Sequence, residues 1–176
     1  DVTGLVQGSQ SEDGALFTLD LLSGASDVDA GDTLLVDMAS IDLISGNDIG
    51  VTINNGGTLV VDPSAYNSLA AASIETVTYS YNIEDSSGGS VPQIASFTIT
   101  GTNDSPVVTG AVQGSLSEDD TLFTLDLLSG ASDVDAGDML SVDTASITLV
   151  SGDDSGVIIN SDGTLAVDPG AYNSLA

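Results

Sequence analysis

The chain contains no lysine, arginine or histidine, and these absences narrow the possible functions. Its 176 residues include 27 aspartates and glutamates, so its formal net charge is −27. Phosphate recognition depends on lysine and arginine, so nucleic acid is not an expected partner. Attraction to an anionic membrane surface is disfavoured for the same reason. Because nothing in the chain offsets its charge, cations from the solvent are the simplest source of compensation.

Cysteine is also absent, which excludes disulfides and thiolate metal sites. No apolar run reaches the roughly 18–20 residues that a membrane-spanning helix needs, and no signal-peptide pattern is present. Carboxylates are the only strong acid–base groups left, so an enzyme is not expected. The sequence starts at Asp1 rather than at methionine, and we expect it to belong to a longer protein.

Hydrophobic residues make up 41% of the chain, which argues against an acidic disordered tail. The sequence also repeats itself after a shift of 106 residues, and 52 of 68 aligned positions are identical between 3–70 and 109–176. A period of this length is typical of tandem domains rather than of a solenoid. We expect one complete repeat at 1–105, a linker at 101–106, and a partial second repeat at 106–176 that lacks its last two strands.

Strict alternation of apolar and polar residues predicts β-strands. It is clearest in Thr76–Ile83, in 95–100 and in the row formed by Ala15, Phe17, Leu19 and Leu21. Residues 51–62 predict a hairpin with an Asn/Gly turn, and only 65–73 is helix-like. The expected strands follow Gly4 and then lie at about 15–22, 33–37, two pieces within 41–61, 75–84 and 93–101. The fold class is therefore all-β, with tandem immunoglobulin-like sandwiches of which the second is incomplete.

Seventeen identical residues at 16–32 and 122–138 each end in the acidic loop DVDAGD. In a seven-stranded sandwich this loop lies at the same end as the loop after the sixth strand, which contains Asp85. The opposite end carries Glu12, Glu75 and the linker, and the loop of the second repeat would face it. We expect these carboxylates to bind Ca²⁺, which takes six to eight oxygen ligands. The expected metal ligands are Glu12, Asp27, Asp29, Asp32, Glu75, Asp85, Asn103, Asp104, Glu118, Asp133, Asp135 and Asp138.

The acidic loop is not an EF-hand. If Asp27 is counted as position 1, position 6 is Asp32 and position 12 is Met38, or Thr144 in the second repeat. The EF-hand requires glycine and a bidentate glutamate at these two positions.

The order of the motifs resembles that of a known family. A Ser-Glu-Asp turn precedes SDVDAGD, followed by GTLVVDPSAYNSLAAASIETVTYSYNIEDSSGG and TITGTNDSPVV. This order resembles the VCBS and bacterial cadherin-like repeats of giant secreted RTX-type adhesins. The resemblance implies interdomain calcium between neighbouring repeats, type I secretion to the bacterial cell surface, and a role in adhesion and biofilm formation. Glycans or other cells would be bound by modules outside this chain.

Two other functions stay open. A carbohydrate-binding module would need exposed aromatic residues, for which Tyr66 and Tyr172 are the remaining candidates, although a core role is favoured. A self-assembling extracellular fibre would use the open sheet edges of the incomplete second repeat.

Overall fold

The alternating rows of the first repeat form two β-sheets with a shared core. The computed structural model describes residues 1–29 and 31–174, and it divides into unit 1, Asp1–Asn103, and unit 2, Asp104–Ala176. One sheet of unit 1 has the order β1-β7-β6-β3 and the other β2-β5-β4, with β1 parallel to β7 and the other pairs antiparallel. The seven strands are β1 Val6–Ser11, β2 Phe17–Asp20, β3 Leu34–Ser45, β4 Val51–Asn54, β5 Thr58–Val61, β6 Ile74–Asp85 and β7 Ser90–Thr100. The predicted all-β sandwich is therefore confirmed.

The core contains one face of each sheet. Every second residue of β6 from Val77 to Ile83 is buried, and so is the row from Ala95 to Ile99 on β7. The other sheet contributes Leu19, Leu59 and Val61. The Phe17 and Phe97 rings meet edge to face, with centroids 5.9 Å apart. Each large apolar side chain buried in this way stabilises the fold by about 1.5–3 kcal/mol.

Three local predictions need correction. Residues 41–45 do not begin a new strand but continue β3, whose register shifts between Asp37 and Asp42. At that shift the Ser40 hydroxyl accepts a hydrogen bond from the Asn82 amide at 2.8 Å, which replaces a ladder bond.

The helix-like stretch is a single 3₁₀ turn at Pro63–Tyr66, because Asp62 caps its first amides and Pro63 fixes the backbone. Ala15 is exposed and precedes β2.

Unit 2 reproduces one of these two sheets. Its three-stranded sheet has the order β11-β12-β9, which corresponds through the 106-residue shift to β4-β5-β2, and a short pair joins β10 to β8. The strands are β8 Val107–Val108, β9 Phe123–Asp126, β10 Ala131–Ser132, β11 Val157–Ile159 and β12 Thr164–Val167.

The counterparts of β1 and β3 are not strands in unit 2. Residues 112–117, VQGSLS, differ from the β1 sequence VQGSQS at one position, yet they are irregular. Residues 140–151 correspond to β3 but contain only a 3₁₀ turn at Thr144–Ser146. In unit 1, β1 pairs with β7 and β3 pairs with β6. Strand formation in these segments therefore depends on a partner strand more than on local sequence.

The hydroxyl of Tyr81, on β6, makes a hydrogen bond to the segment that follows β2 in the other sheet of unit 1. Tyr81 donates to the Leu21 carbonyl oxygen at 2.7 Å, and burial, reinforced by the Asp20 charge, raises the pKa of Tyr81 to about 12. The pKa of an unfolded tyrosine is near 10. The contribution of the neutral Tyr81 hydroxyl to the free energy of unfolding is therefore intact below about pH 10 and is lost as the pH rises towards 12. Tyr81→Phe should lower the free energy of unfolding at pH 8 by about 1–2 kcal/mol.

Urea unfolding at pH 8 and pH 11.5 measures both effects. The variant should lose less stability between these pH values than the parent chain. Tyr66 and Tyr79, whose pKa values burial also raises, should account for the decline that remains. An equal decline in the two proteins would contradict this account.

Candidate metal centre

The acidic loop of each unit draws three carboxylates together. Within each loop, carboxylate oxygens of the three aspartates lie within 4.8 Å of one another. The first aspartate of each loop also accepts a hydrogen bond from the amide of the third residue, at 2.8 Å in unit 1 and 3.0 Å in unit 2. The two triplets are Asp27, Asp29 and Asp32, and Asp133, Asp135 and Asp138. The loop sequence therefore places like charges together instead of dispersing them.

Hydrogen bonds hold the unit 1 loop against the turn between β6 and β7. One Asp32 carboxylate oxygen accepts from the Ser86 and Ser87 hydroxyls at 3.2 and 3.0 Å. The Thr33 amide donates to the Ser86 hydroxyl at 3.2 Å. The two loops that the sequence predicts at one end of the sandwich are thus joined there by serine side chains.

Asp85 shapes that same turn. Its Oδ1 accepts hydrogen bonds from the Ser87 amide at 2.9 Å and the Gly89 amide at 2.8 Å. Asp85 also lines an open pocket together with Asp27 and the N-terminal Asp1.

Glu75 holds a loop at the opposite end of unit 1. Its Oε1 accepts a hydrogen bond from the Asn47 amide at 2.6 Å. Within residues 1–29 and 31–174, neither Glu75, Asp85 nor Glu118 belongs to a group of three acids close enough to share an ion. Their predicted metal role therefore stays a prediction.

Glu12 is a buried carboxylate with an incomplete set of partners. It directly follows β1, and its side chain is 0% exposed. Its Oε1 accepts from the Thr102 amide at 2.7 Å and from the Thr102 hydroxyl at 3.3 Å. Its Oε2 is buried without a hydrogen-bond partner. Glu118, at the corresponding position of the second repeat, is exposed.

Asp135 is in a similar state within unit 2. It is 4% exposed, and its Oδ2 accepts a hydrogen bond from the Asp104 amide at 2.8 Å. Its Oδ1 is buried and has no hydrogen-bond partner. A carboxylate oxygen of Asp104 lies within 4.8 Å of one of Asp135. Asn103, the last residue of unit 1, is exposed.

These orphaned oxygens fit a hard divalent cation. An ionised carboxylate is costly to bury unless a positive charge or hydrogen bonds compensate it. The sequence has no cationic side chain that could do so. The available donors are carboxylate, amide and main-chain oxygens, which Ca²⁺ prefers, whereas Zn²⁺ prefers nitrogen and sulfur. Glu12 and Asp135 are therefore the residues whose surroundings most need an ion.

Sequence reasoning did not identify several neutral partners of these acids. Thr102 binds Glu12 through its amide, and its hydroxyl donates to Asp13 at 2.6 Å. Ser86 and Ser87 bind Asp32. Thr102 lies directly before the acidic part of the linker, and this position in the sequence could have identified it as a neighbour of the proposed ligands. The serine contacts depend on the shape of a turn, which the sequence alone does not specify.

Comparison with known proteins identifies a domain family. The sequence model described as a cadherin-like domain matches residues 2–100 and again 102–174. No curated protein sequence matches the chain. Among solved structures, the chain is similar to the crystal structure of SusF from Bacteroides thetaiotaomicron, at 16% identity and a TM-score of 0.32, over 68% of this chain. The match spans 27% of the SusF chain. Across the described residues, no helix has the length and apolar character to cross a membrane.

Glu12→Gln tests whether the buried carboxylate requires a cation. Without divalent ions the substitution removes an uncompensated buried charge, so the variant should unfold at a higher temperature than the parent chain. With saturating Ca²⁺ the order should reverse, because the amide is a weaker ligand than the carboxylate. Thermal unfolding in chelator and in calcium measures both orders.

Glu118→Gln is the matched control for this experiment. It makes the same chemical change at the corresponding, exposed position of the second repeat. It should leave the melting temperature nearly unchanged in both solutions. If Glu12→Gln gave the same order with and without calcium, Glu12 would not be a ligand.

Proposed function

The chain belongs to the family of cadherin-like domains, and from this premise we propose that it is a calcium-rigidified spacer of a large bacterial cell-surface adhesin. Cadherin-like domains are adhesion-type repeats, typical of extracellular proteins, and they generally bind calcium. The proposal adds three points for this chain: calcium stiffens the array, the array extends a distal adhesive module, and the whole supports adhesion and biofilm formation. Assignment to VCBS-type repeats of RTX adhesins, exported by type I secretion, is part of the same proposal.

The observation that carries the proposal is the pair of orphaned buried oxygens on Glu12 and Asp135. Chain connectivity relates these two acids. Thr102 donates its amide to Glu12, and Asp104 donates its amide to Asp135. Because only Asn103 separates the two donors, their Cα atoms are at most about 7.6 Å apart. A cation that took ligands from both acids would therefore restrict rotation of this linker.

The set of ligands that we propose follows from this connectivity. Glu12, Asp104 and Asp135 would bind the ion through carboxylate oxygens, with Asp133, Asp138 and the Asn103 amide completing the oxygen shell. In the first repeat, Asp27, Asp29, Asp32 and Asp85 would serve a junction with a preceding repeat. Glu75 would contribute at the same end as Glu12, and Glu118 at a junction with a following repeat.

The calcium concentration would switch the spacer between two states. Extracellular modules of this kind bind Ca²⁺ with dissociation constants of roughly 10⁻⁴–10⁻³ M. Cytosolic calcium would leave such sites empty, so the chain could be exported while its linkers are still free to bend. Calcium outside the cell would fill them and cancel two negative charges per ion, which weakens the self-repulsion of a chain with a charge of −27.

A carbohydrate-binding role is less well supported. The Tyr66 side chain is 4% exposed, and its hydroxyl donates to the Asn47 carbonyl oxygen at 2.7 Å. Tyr79, Tyr81 and Phe97 are buried in the core. None of these four rings offers an exposed face for a sugar. We also propose that the chain is not an enzyme, because carboxylates are the only strong acid–base groups in its sequence.

Calcium binding should be visible as stabilisation of the whole chain. At 10 mM, which is about 10 to 100 times the expected dissociation constant, Ca²⁺ should add about 1.4–2.7 kcal/mol to the free energy of unfolding. Asp135→Asn should remove most of this gain. Asp29→Asn, the same change at the corresponding exposed residue, should remove little of it. Calorimetry of the three proteins in calcium and in chelator would reject the calcium proposal if no melting temperature rose.

Rigidification is a separate claim from binding and needs its own measurement. Small-angle X-ray scattering of the 176-residue chain should give a longer and narrower distribution of interatomic distances in calcium than in chelator. The reason is that a fixed linker removes bent arrangements from the ensemble. Asp135→Asn should give the chelator profile in both solutions. If calcium raised the melting temperature but left the scattering unchanged, the ion would stabilise the domains without stiffening the chain.

A further inference from the structure

The turn between β4 and β5 carries an Asn-Gly pair that the proposed function does not use. Asn55 is followed by Gly56, and none of the other seven asparagines of the chain precedes a glycine. The main-chain nitrogen that follows an asparagine can attack the side-chain carbonyl carbon and close a five-membered ring. Glycine hinders this attack least, because it has no Cβ and its backbone is the most permissive. Of the eight asparagines, Asn55 is therefore the one whose following residue best allows ring closure.

The structure leaves this pair open to reaction. Asn55 and Gly56 are both exposed. Gly57 closes the turn with a φ of +75° and donates its amide to the Asn54 carbonyl oxygen at 3.0 Å, as is usual in a three-residue hairpin loop. Within residues 1–29 and 31–174, the Gly56 amide donates no hydrogen bond. The nitrogen that would attack is thus not held by the turn.

The corresponding turn of unit 2 has the same backbone but not the same chemistry. Its closing glycine, Gly163, has a φ of +81° and donates its amide to the Asn160 carbonyl oxygen at 3.2 Å. At 161–162, Ser-Asp replaces Asn-Gly. Asp162 precedes a glycine, but the amide of that glycine is engaged in the turn. The Asp162 carboxylate is engaged as well, because its Oδ1 accepts from the Thr164 amide and hydroxyl at 3.1 and 2.7 Å.

We propose that Asn55 is a site of spontaneous deamidation, at which the folded first repeat acquires an additional carboxylate. The Gly56 nitrogen loses its proton and bonds to the Asn55 side-chain carbonyl carbon, which closes a succinimide ring. The bond from that carbon to the side-chain nitrogen breaks, and the nitrogen takes up a proton and leaves as ammonia. One water molecule then opens the ring and gives aspartate or isoaspartate. The reaction needs only water, and it adds one negative charge to the formal −27.

The new charge would lie at the end of unit 1 that carries the acidic loop. The Gly57 carbonyl oxygen accepts from the Leu21 amide at 2.9 Å, and the chain runs from Leu21 into the loop that begins at Asp27. A Cβ added at Gly57 would lie 2.6 Å from the Val36 side chain. These contacts fix the turn at Gly57, so the reaction at its exposed tip leaves the sandwich folded. The site goes beyond the proposed spacer function and does not depend on it.

Ageing of the 176-residue chain at pH 8.5 and 37 °C, followed by peptide mapping, tests the proposal. The chain has no lysine or arginine, so we would use a protease that cleaves before aspartate, which gives peptides 48–61 and 154–161. Isoaspartate should appear as peptide 48–61 heavier by about 1 Da, because OH replaces NH₂. Aspartate at position 55 should create a new cleavage there. Peptide 154–161, which contains Asn160, should keep its mass.

The same ageing in urea shows whether the folded turn permits the reaction. Asn55 should react in the folded chain within about tenfold of its rate in urea, because an exposed turn opens at little cost in free energy. Reaction of Asn55 in urea alone would show that the fold protects it, and the proposal would then be wrong.

Gly56→Ala is the matched variant. Among the described residues, the added Cβ would meet no heavy atom within 4 Å beyond its chain neighbours, so the melting temperature should not change. The variant should deamidate at Asn55 at least about tenfold more slowly, because the Cβ hinders the attacking nitrogen and restricts the backbone. An equal rate in the variant and the parent chain would exclude ring closure through the nitrogen of residue 56. Reaction of Asn160 as fast as that of Asn55 would equally contradict the assignment.

Discussion

The pairing of β6 with β7 is the interaction on which the rest of unit 1 depends. These two strands pair over eleven consecutive positions, from Ile74 with Thr100 to Glu84 with Ser90. Among the described residues, their inner faces supply seven of the fourteen buried hydrophobic core residues, and their outer edges hold β1 and β3. Unit 2 shows the consequence, because the counterparts of β1 and β3 are irregular while the β11-β12-β9 sheet forms without them. The repeat therefore consists of one sheet that forms locally and one that needs its central hairpin.

Negative charge is the second constraint, and it determines where the acids can lie. With 27 carboxylates and no basic side chain, ion pairs cannot neutralise them within the chain. Many are instead held by main-chain amides, as Asp85 is by Ser87 and Gly89. Glu12 and Asp135 also accept main-chain amides, from Thr102 and Asp104, but each keeps a second buried oxygen without a partner. Local turn chemistry explains the first group, whereas the second calls for a charge from outside the chain.

The sequence predicted the sandwich well because its core rows alternate strictly between apolar and polar residues, as from Val77 to Ile83. A repeat of two residues in hydrophobicity indicates a half-buried β-strand. The boundaries of β3 were missed because the register shift at Ser40 uses a side-chain hydroxyl in place of a ladder bond, with no glycine or proline to signal it. The acidic loops were evident from composition, and the structure draws each aspartate triplet together. The burial of Glu12 and its contact with Thr102 were not evident, because they depend on residues 90 positions apart.

The two acidic loops show how a neighbouring segment changes the surroundings of identical residues. Their sequences are identical over seventeen residues, yet Asp135 is buried and Asp29 is exposed. Asp135 is held by the amide of Asp104, which lies in the linker before the second repeat. The linker therefore acts as part of the loop that follows it. A difference in calcium affinity between the two loops would arise from this neighbouring segment, because their own side chains are the same.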